Sequence, residues 1–392
     1  MEAAVGRDFV VSEFIDKIRQ VAGREGDLHL HEPILGDLEK KNLIDCIDST
    51  FVSSVGTYVG QFEAKIAEFT NSKYAIAVSN GTSALHVSLL LSGVTALDEV
   101  IVPALSFVAT ANAVSYIGAT PHFVDSEENT LGMCPDKLRA HLEATALLRN
   151  GICINKITKR PIKAIVPMHT FGHSVRMDEI VAVAADFNLV VVEDAAEGLG
   201  SYYKKRHVGT FGTFGIVSFN GNKIITTGAG GIILTQNSEL ARRAKHITTT
   251  AKMPHKWAFN HDEVGFNYRM ANLNAALGCA QLERLDALIT HKKELLLRYQ
   301  SVFSSLTNYL RFVTEPKDCE SNYWLQSILL DESVSGMRDD ILDAGNDKGV
   351  MIRPAWTLGN LLAPFLDCPK ANLDVAESLS RRLINLPSGY NI

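Results

Sequence analysis

The chain reads as an α/β protein: a large domain on a mainly parallel sheet of seven strands, helices on both faces, followed by a smaller C-terminal α/β domain. Three observations predict this. Short apolar runs recur between residues 74 and 235, and helical segments separate most of them. Strands buried on both faces read as continuous apolar runs, and regular strand–helix alternation places them in parallel. Beyond Ser238 the pattern turns to long helices, then to a mixture of strands and helices.

In chain order, residues 1–27 form an extension. Phe9, Val10, Phe14, Ile15, Ile18 and Val21 share one face of a short helix there, which Gly23 and Gly26 end. As sequence it fits a dimer arm or a tail. A second helical pattern runs from Asp37 to about Thr50 and meets the polar loop Ser53-Ser54-Val55-Gly56; a third spans Tyr58 to Thr70. The alternation then begins. Strands are predicted at Tyr74–Val78, Glu99–Pro103, Pro121–Asp125, Lys163–Pro167, Leu189–Glu193, Ile216–Phe219 and Gly231–Thr235. Helices are predicted at Thr82–Leu91, Thr110–Ile117, Pro135–Ala144 and Met177–Phe187, with residues 146–160 as a surface hairpin. Ala271–Ala287 and Lys292–Ser305 read as long helices. The expected division is 1–27 extension, 28–265 large domain and 266–392 small domain.

Length and composition allow a substantial core: 392 residues, 46% of them hydrophobic. The net charge of -6 and the lack of a long basic run argue against nucleic acid or a membrane surface as a partner. No basic-then-apolar leader opens the sequence and no apolar run is long enough to span a bilayer, so a cytoplasmic location is expected. The six cysteines are scattered, with no CxxC pair and no zinc or iron–sulfur spacing, so no metal is expected. GxGxxG, Walker A, HExxH and GxSxG motifs are all absent, which weakens dinucleotide, nucleotide-hydrolysing and hydrolase readings.

Lys223 stands out in Ser218-Phe219-Asn220-Gly221-Asn222-Lys223, between two apolar strands and without charged neighbours on its C-terminal side. Such an amine is available as a nucleophile for Schiff-base chemistry; a lysine in an Asn-Gly turn explains the same residues. Gly81-Thr82-Ser83 follows a strand and opens a helix, where free backbone N–H groups and hydroxyls bind an anion. An ordinary helix cap would look the same. Asp194 lies at the carboxyl edge of an apolar strand, where open α/β sheets place ligands. It needs a cation there, or else it caps the next helix. Gly265-Phe266-Asn267-Tyr268-Arg269 precedes a long helix and by itself is a polar loop.

In this order and spacing the motifs resemble those of pyridoxal 5′-phosphate enzymes of the aspartate aminotransferase fold (fold type I). They more closely resemble the DegT family of sugar-nucleotide aminotransferases, across roughly residues 28 to 392. Leu30-His31-Glu32-Pro33, Asp48 to Gly56 and Met168-His169-Thr170-Phe171-Gly172-His173 are similar to the LegC-type branch, which acts on UDP-linked 4-keto-6-deoxy sugars. The resemblance implies that Lys223 holds the cofactor and that Asp194 pairs with its ring nitrogen. It implies that Glu197 approaches the ring hydroxyl and Phe107 stacks on the ring. Gly81, Thr82, Ser83 and Ser218 would bind the phosphate; Asn267, with Arg269, would reach it from the partner subunit of a homodimer. L-glutamate would be the amino donor, a nucleotide sugar the acceptor, and pyridoxamine 5′-phosphate the alternate cofactor form. Ala229 stands where many relatives have Glu, a change of environment at a position with no catalytic role. Two other readings are a dehydratase relative and a cofactor-binding regulator without turnover. The presence of Lys223, where pyridoxamine-dependent dehydratases carry His, weighs against the first; the intact Asp194/Lys223 pair weighs against the second.

Overall fold

The apolar runs become strands because each side chain finds cover on both sides of one sheet. The computed structural model describes the backbone of residues 2–392 and the side chains of residues 11–392. Its seven principal strands are β1 (Tyr74–Val78), β2 (Glu99–Pro103), β3 (Thr120–Val124), β4 (Pro161–Ile165), β5 (Val190–Asp194), β6 (Phe214–Ser218) and β7 (Gly231–Thr235). They lie in the order β1-β7-β6-β5-β4-β2-β3. Only β7 runs against its neighbours, pairing antiparallel with β1 and β6, while the rest pair in parallel. The predicted hairpin is present as Ala146–Arg149 and Ile152–Asn155, and its second strand extends the sheet beside β4. Asn150 and Gly151 at its tip both have positive φ (50° and 76°), as a tight two-residue turn requires.

The direction of β7 positions the site. β6 runs to the carboxyl edge of the parallel strands, the chain loops over residues 219–230, and β7 returns from that edge. Phe219 and Gly230 close the base of this loop through a backbone hydrogen bond of 2.9 Å. Lys223 is therefore held above the same edge at which Asp194 ends β5.

Residues 310–312, 326–330, 353–354 and 383–386 form a second, wholly antiparallel sheet. The N-terminal helix Glu2–Ala22 belongs with it. Phe14, Ile15, Ile18 and Val21 are buried in one apolar cluster with Leu295, Tyr299, Ile341 and Ile384. The side chains of Phe9 and Val10, predicted on the same face, lie outside those described.

The two long helices after residue 270 depart most from the prediction. The predicted helices Ala271–Ala287 and Lys292–Ser305 are instead Asn272–Leu282 and Leu285–Val302, with the break at Glu283–Arg284. The apolar periodicity gives no stop signal there. The anchor is tertiary: Glu39 accepts from Gln281 Nε2 (2.6 Å) and pairs with Arg284 Nη1 (3.3 Å). Among the described residues, no helix is long and apolar enough to cross a membrane.

Candidate active site

β5 ends in two acids, and strand alternation turns them to opposite faces. Glu193 accepts backbone N–H groups from Gly209 (2.7 Å), Gly212 (2.6 Å) and Phe211, and its carboxylate meets His169 Nε2 at 3.3 Å. That network is closed. Asp194 faces a cavity of about 280 Å³. It accepts from Thr110 Oγ1 (2.6 Å) and from the amide of Ala196 (3.2 Å), and it has no ion-pair partner among the described residues. Burial pushes its carboxyl above the usual range. The Thr110 and Ala196 hydrogen bonds and the charges of Lys223 and His169 pull it partly back.

Lys223 Nζ enters the same cavity, 3.0 Å from Glu197 Oε1 and 3.9 Å from the centre of the Trp324 ring. Glu197 is buried, which raises its carboxyl, and the Lys223 charge opposes that rise. Phe107, at the start of the helix Val108–Tyr116, lies in the cavity wall with 48% of its surface exposed. Its ring is 6.2 Å from that of Trp356.

The N-terminus of the helix Gly81–Leu91 also lines the cavity. Asn80 caps it by accepting the Ser83 amide at 2.8 Å, which leaves the Gly81 and Thr82 amides at its mouth. A Cβ on Gly81 would sit 3.0 Å from the Ser218 Cβ, and one on Gly231 would sit 2.5 Å from the Asn80 carbonyl carbon. Glycine at these two points lets the helix mouth close onto the strand ends.

The fold thus brings together Lys223, Asp194, Glu197, Phe107, Gly81, Thr82 and Ser218. Ser83, expected in the phosphate cradle, lies behind it: it is buried, its hydroxyl is 3.2 Å from Ser79 Oγ, and its amide is already taken. Asn267 and Arg269 do not line the cavity. Asn267 is exposed and bridges to Thr249; Arg269 bridges to Val78, and its Nε is buried without a hydrogen-bond partner among the described residues. His169 and His173, in the LegC-like segment and open to either a substrate or a structural role, are fully buried and line neither this cavity nor the larger one that shares Asn222, Trp324 and Trp356 with it. His169 serves Glu193, and His173 packs edge-on against Tyr323 at 5.4 Å.

Thr110, Trp324 and Trp356 were missed. Thr110 lies four residues past Ser106 in a segment already singled out for Phe107, and its hydroxyl is the only local signal. Trp324 and Trp356 come from the C-terminal third and have no local signal. Asn322 brings Trp324 in: its Nδ2 donates to the carbonyls of Glu197 and Leu199, 2.8 Å each, and its Oδ1 accepts the Trp324 amide. Among the described residues, His246, Asp262 and Glu263 form a surface group able to hold a metal. They are engaged with one another and with Arg243 in ion pairs.

Pyridoxal 5′-phosphate fits this donor set. The buried, cation-free carboxylate of Asp194 suits a protonated ring nitrogen, Phe107 offers a flat apolar face, and the glycine-lined helix mouth suits a phosphate. Lys223 supplies the amine.

Comparison with known proteins agrees in kind. The model of the DegT/DnrJ/EryC1/StrS aminotransferase family matches residues 33–392. GDP-perosamine synthase of Escherichia coli O157:H7 is 39% identical over 359 residues, covering 92% of each chain. GDP-perosamine synthase of Caulobacter vibrioides is 36% identical over 359 residues, covering 91% of each. The crystal structure of an aminotransferase from Psychrobacter cryohalolentis superposes with a TM-score of 0.79 at 30% identity, covering 92% of this chain and 94% of that one.

Proposed function

Since the chain belongs to the DegT/DnrJ/EryC1/StrS aminotransferase family, and is a pyridoxal-phosphate-dependent sugar-nucleotide aminotransferase, we propose that it aminates a nucleotide-linked 4-keto-6-deoxy sugar. Glutamate is the amino donor and GDP the nucleotide. One observation supports the site assignment above the rest: Lys223 Nζ and the cation-free Asp194 carboxylate share one small cavity, beside a larger one of about 630 Å³ that shares Asn222, Trp324 and Trp356 with it. The two relatives named GDP-perosamine synthase support GDP. UDP is the second reading, supported by the LegC-like segments 30–33, 48–56 and 168–173.

The cofactor, when bound, supplies an electron sink and alternately takes up and releases the amino group. The chain's residues do the rest. Lys223 would hold the cofactor through Nζ, and the same Nζ would serve as the base and acid that moves the donor's α-proton. Asp194 would keep the ring nitrogen protonated. Glu197 holds Nζ at the cavity wall and would serve the ring hydroxyl. Phe107 would cover a ring face. The Gly81 and Thr82 amides, with the Thr82 and Ser218 hydroxyls, bind the phosphate, and Ser83 supports them from behind through the Asn80 cap.

The proposal includes a homodimer in which Asn267 and Arg269 complete the partner's phosphate site. The orphaned Arg269 Nε supports it, as do Trp257, Phe259 and Val264 in the preceding loop, exposed by 73%, 75% and 86%. A panel of GDP-, UDP- and dTDP-linked 4-keto-6-deoxy sugars with glutamate, read by product mass, tests the substrate. GDP-sugar turnover is expected. Turnover of the UDP-sugar alone would move the assignment to the second reading, and turnover only of a 3-keto sugar, or of none, would sink both.

A further inference from the structure

The larger cavity shares Asn222, Trp324 and Trp356 with the smaller one, so whatever fills it adjoins the cavity that holds Lys223. His31 forms part of its wall. Both ring nitrogens of His31 are shut off from solvent, and neither meets a hydrogen-bond partner among the described residues. Buried polar side chains are nearly always paired, so two orphaned nitrogens in a residue of the cavity wall call for a partner from outside the chain, to which a turn of the ring would present one of them.

The ring has an aromatic neighbour and no hydrogen bond among the described residues to fix its rotation. It packs edge-on against Tyr390, with centroids 5.5 Å apart and planes at 74°. Tyr390 in turn donates to the carbonyl of Ile224, next to Lys223, at 2.8 Å. Lys292 Nζ lies 4.8 Å from the Tyr390 ring centre and is itself satisfied by the carbonyls of Trp324 (3.1 Å) and Ser388. His31 is thereby tied to the loop that carries Lys223.

Its chemistry narrows the partner. Burial first, then the charges of Lys292 and Lys223, push His31 well below its ordinary pKa. The imidazole is therefore neutral at pH 7, with one nitrogen donating and the other accepting. A hydroxyl both donates and accepts, and can use either nitrogen. Carboxylate and phosphate oxygens only accept, and favour a cationic partner.

We propose that His31 is a specificity-determining residue that holds a free hydroxyl of the substrate's hexose and takes no part in recognising the amino donor or the nucleotide. This rests on reading the larger cavity as the sugar-nucleotide site.

The test uses the holoenzyme and its His31→Phe and His31→Gln variants, with the two half-reactions followed separately. In His31→Phe the half-reaction with glutamate stays within about twofold of wild type. The half-reaction with the keto sugar falls roughly ten- to thirtyfold in kcat/KM, the effect of losing a buried hydrogen bond to substrate. His31→Gln, which keeps a donor and an acceptor, recovers part of that loss. GDP alone, titrated calorimetrically, binds wild type and variant within about twofold of each other. Equal slowing of both half-reactions, an unchanged sugar half-reaction, or a matching loss of GDP affinity overturns the proposal. If His31→Phe does not fold, His31→Gln decides alone: slowing confined to the sugar half-reaction supports the role, and any other pattern overturns it. A wild-type enzyme that reacts with glutamate but with no sugar of the panel overturns the substrate reading, and this proposal falls with it.

Discussion

Glu193 and Asp194 are adjacent, alike in charge and both buried, yet only Asp194 is left without a full set of partners. A buried carboxylate in that position favours a cationic partner, and the proposed protonated ring nitrogen would be one. Thr110 tunes it. Its hydroxyl is the largest of the influences drawing the Asp194 carboxyl down, against burial, which raises it. In Thr110→Val that opposition is gone, so the carboxyl titrates at higher pH. The acid limb of the kcat profile should then move up, with roughly a fivefold loss at neutral pH from one missing hydrogen bond. Thr110→Ser should restore the limb. A limb that stays put in Thr110→Val would show that the hydroxyl does not act on Asp194. Lys223→Ala should lower turnover by about 10³-fold or more and remove the absorbance band of the lysine–cofactor link. A variant with normal turnover would end the assignment of Lys223.

At the scale of elements, most strands were legible because buried parallel strands are apolar throughout, and their ends coincide with turn residues. The helix Gly81–Leu91 was equally plain, with a strand before it and Asn80 as its cap. The break at Glu283–Arg284 was not, since the contacts that make it come from Glu39, far off in sequence. The N-terminal helix was half legible: its apolar face was evident, but nothing in the sequence said what that face covers. Packed on Leu295, Tyr299 and Ile384, it is a structural member of the fold. Phe14→Ala should therefore cost about 3–5 kcal/mol in urea denaturation. A loss under about 1 kcal/mol would return the helix to the status of a tail.

For the molecule as a whole, the proposed dimer makes a strong prediction. If Arg269 completes the partner's site, Lys223→Ala and Arg269→Ala impair different subunits of each site. Chains co-expressed with one lesion each should give about a quarter of wild-type activity, because half the dimers are mixed and each mixed dimer has one intact site. Separately purified homodimers should give almost none. If co-expression restores nothing, Arg269 serves its own subunit. Glu197 and Phe107 entered only through the family resemblance, while local patterns within the sequence set the strand–helix order and the sheet's cover and marked Lys223, Asp194 and the Gly81 helix mouth as candidates. These are local matters: periodicity, capping, and charged groups at the ends of apolar strands. The tertiary structure alone decided which groups meet them. It placed Thr110 on Asp194, Trp324 under Lys223 and His31 beside the Lys223 loop, and it buried His169 and His173 away from the cavities. Those outcomes depend on contacts between segments far apart in the chain, through Asn322, Tyr390 and Glu193, and no local pattern in a single sequence encodes them.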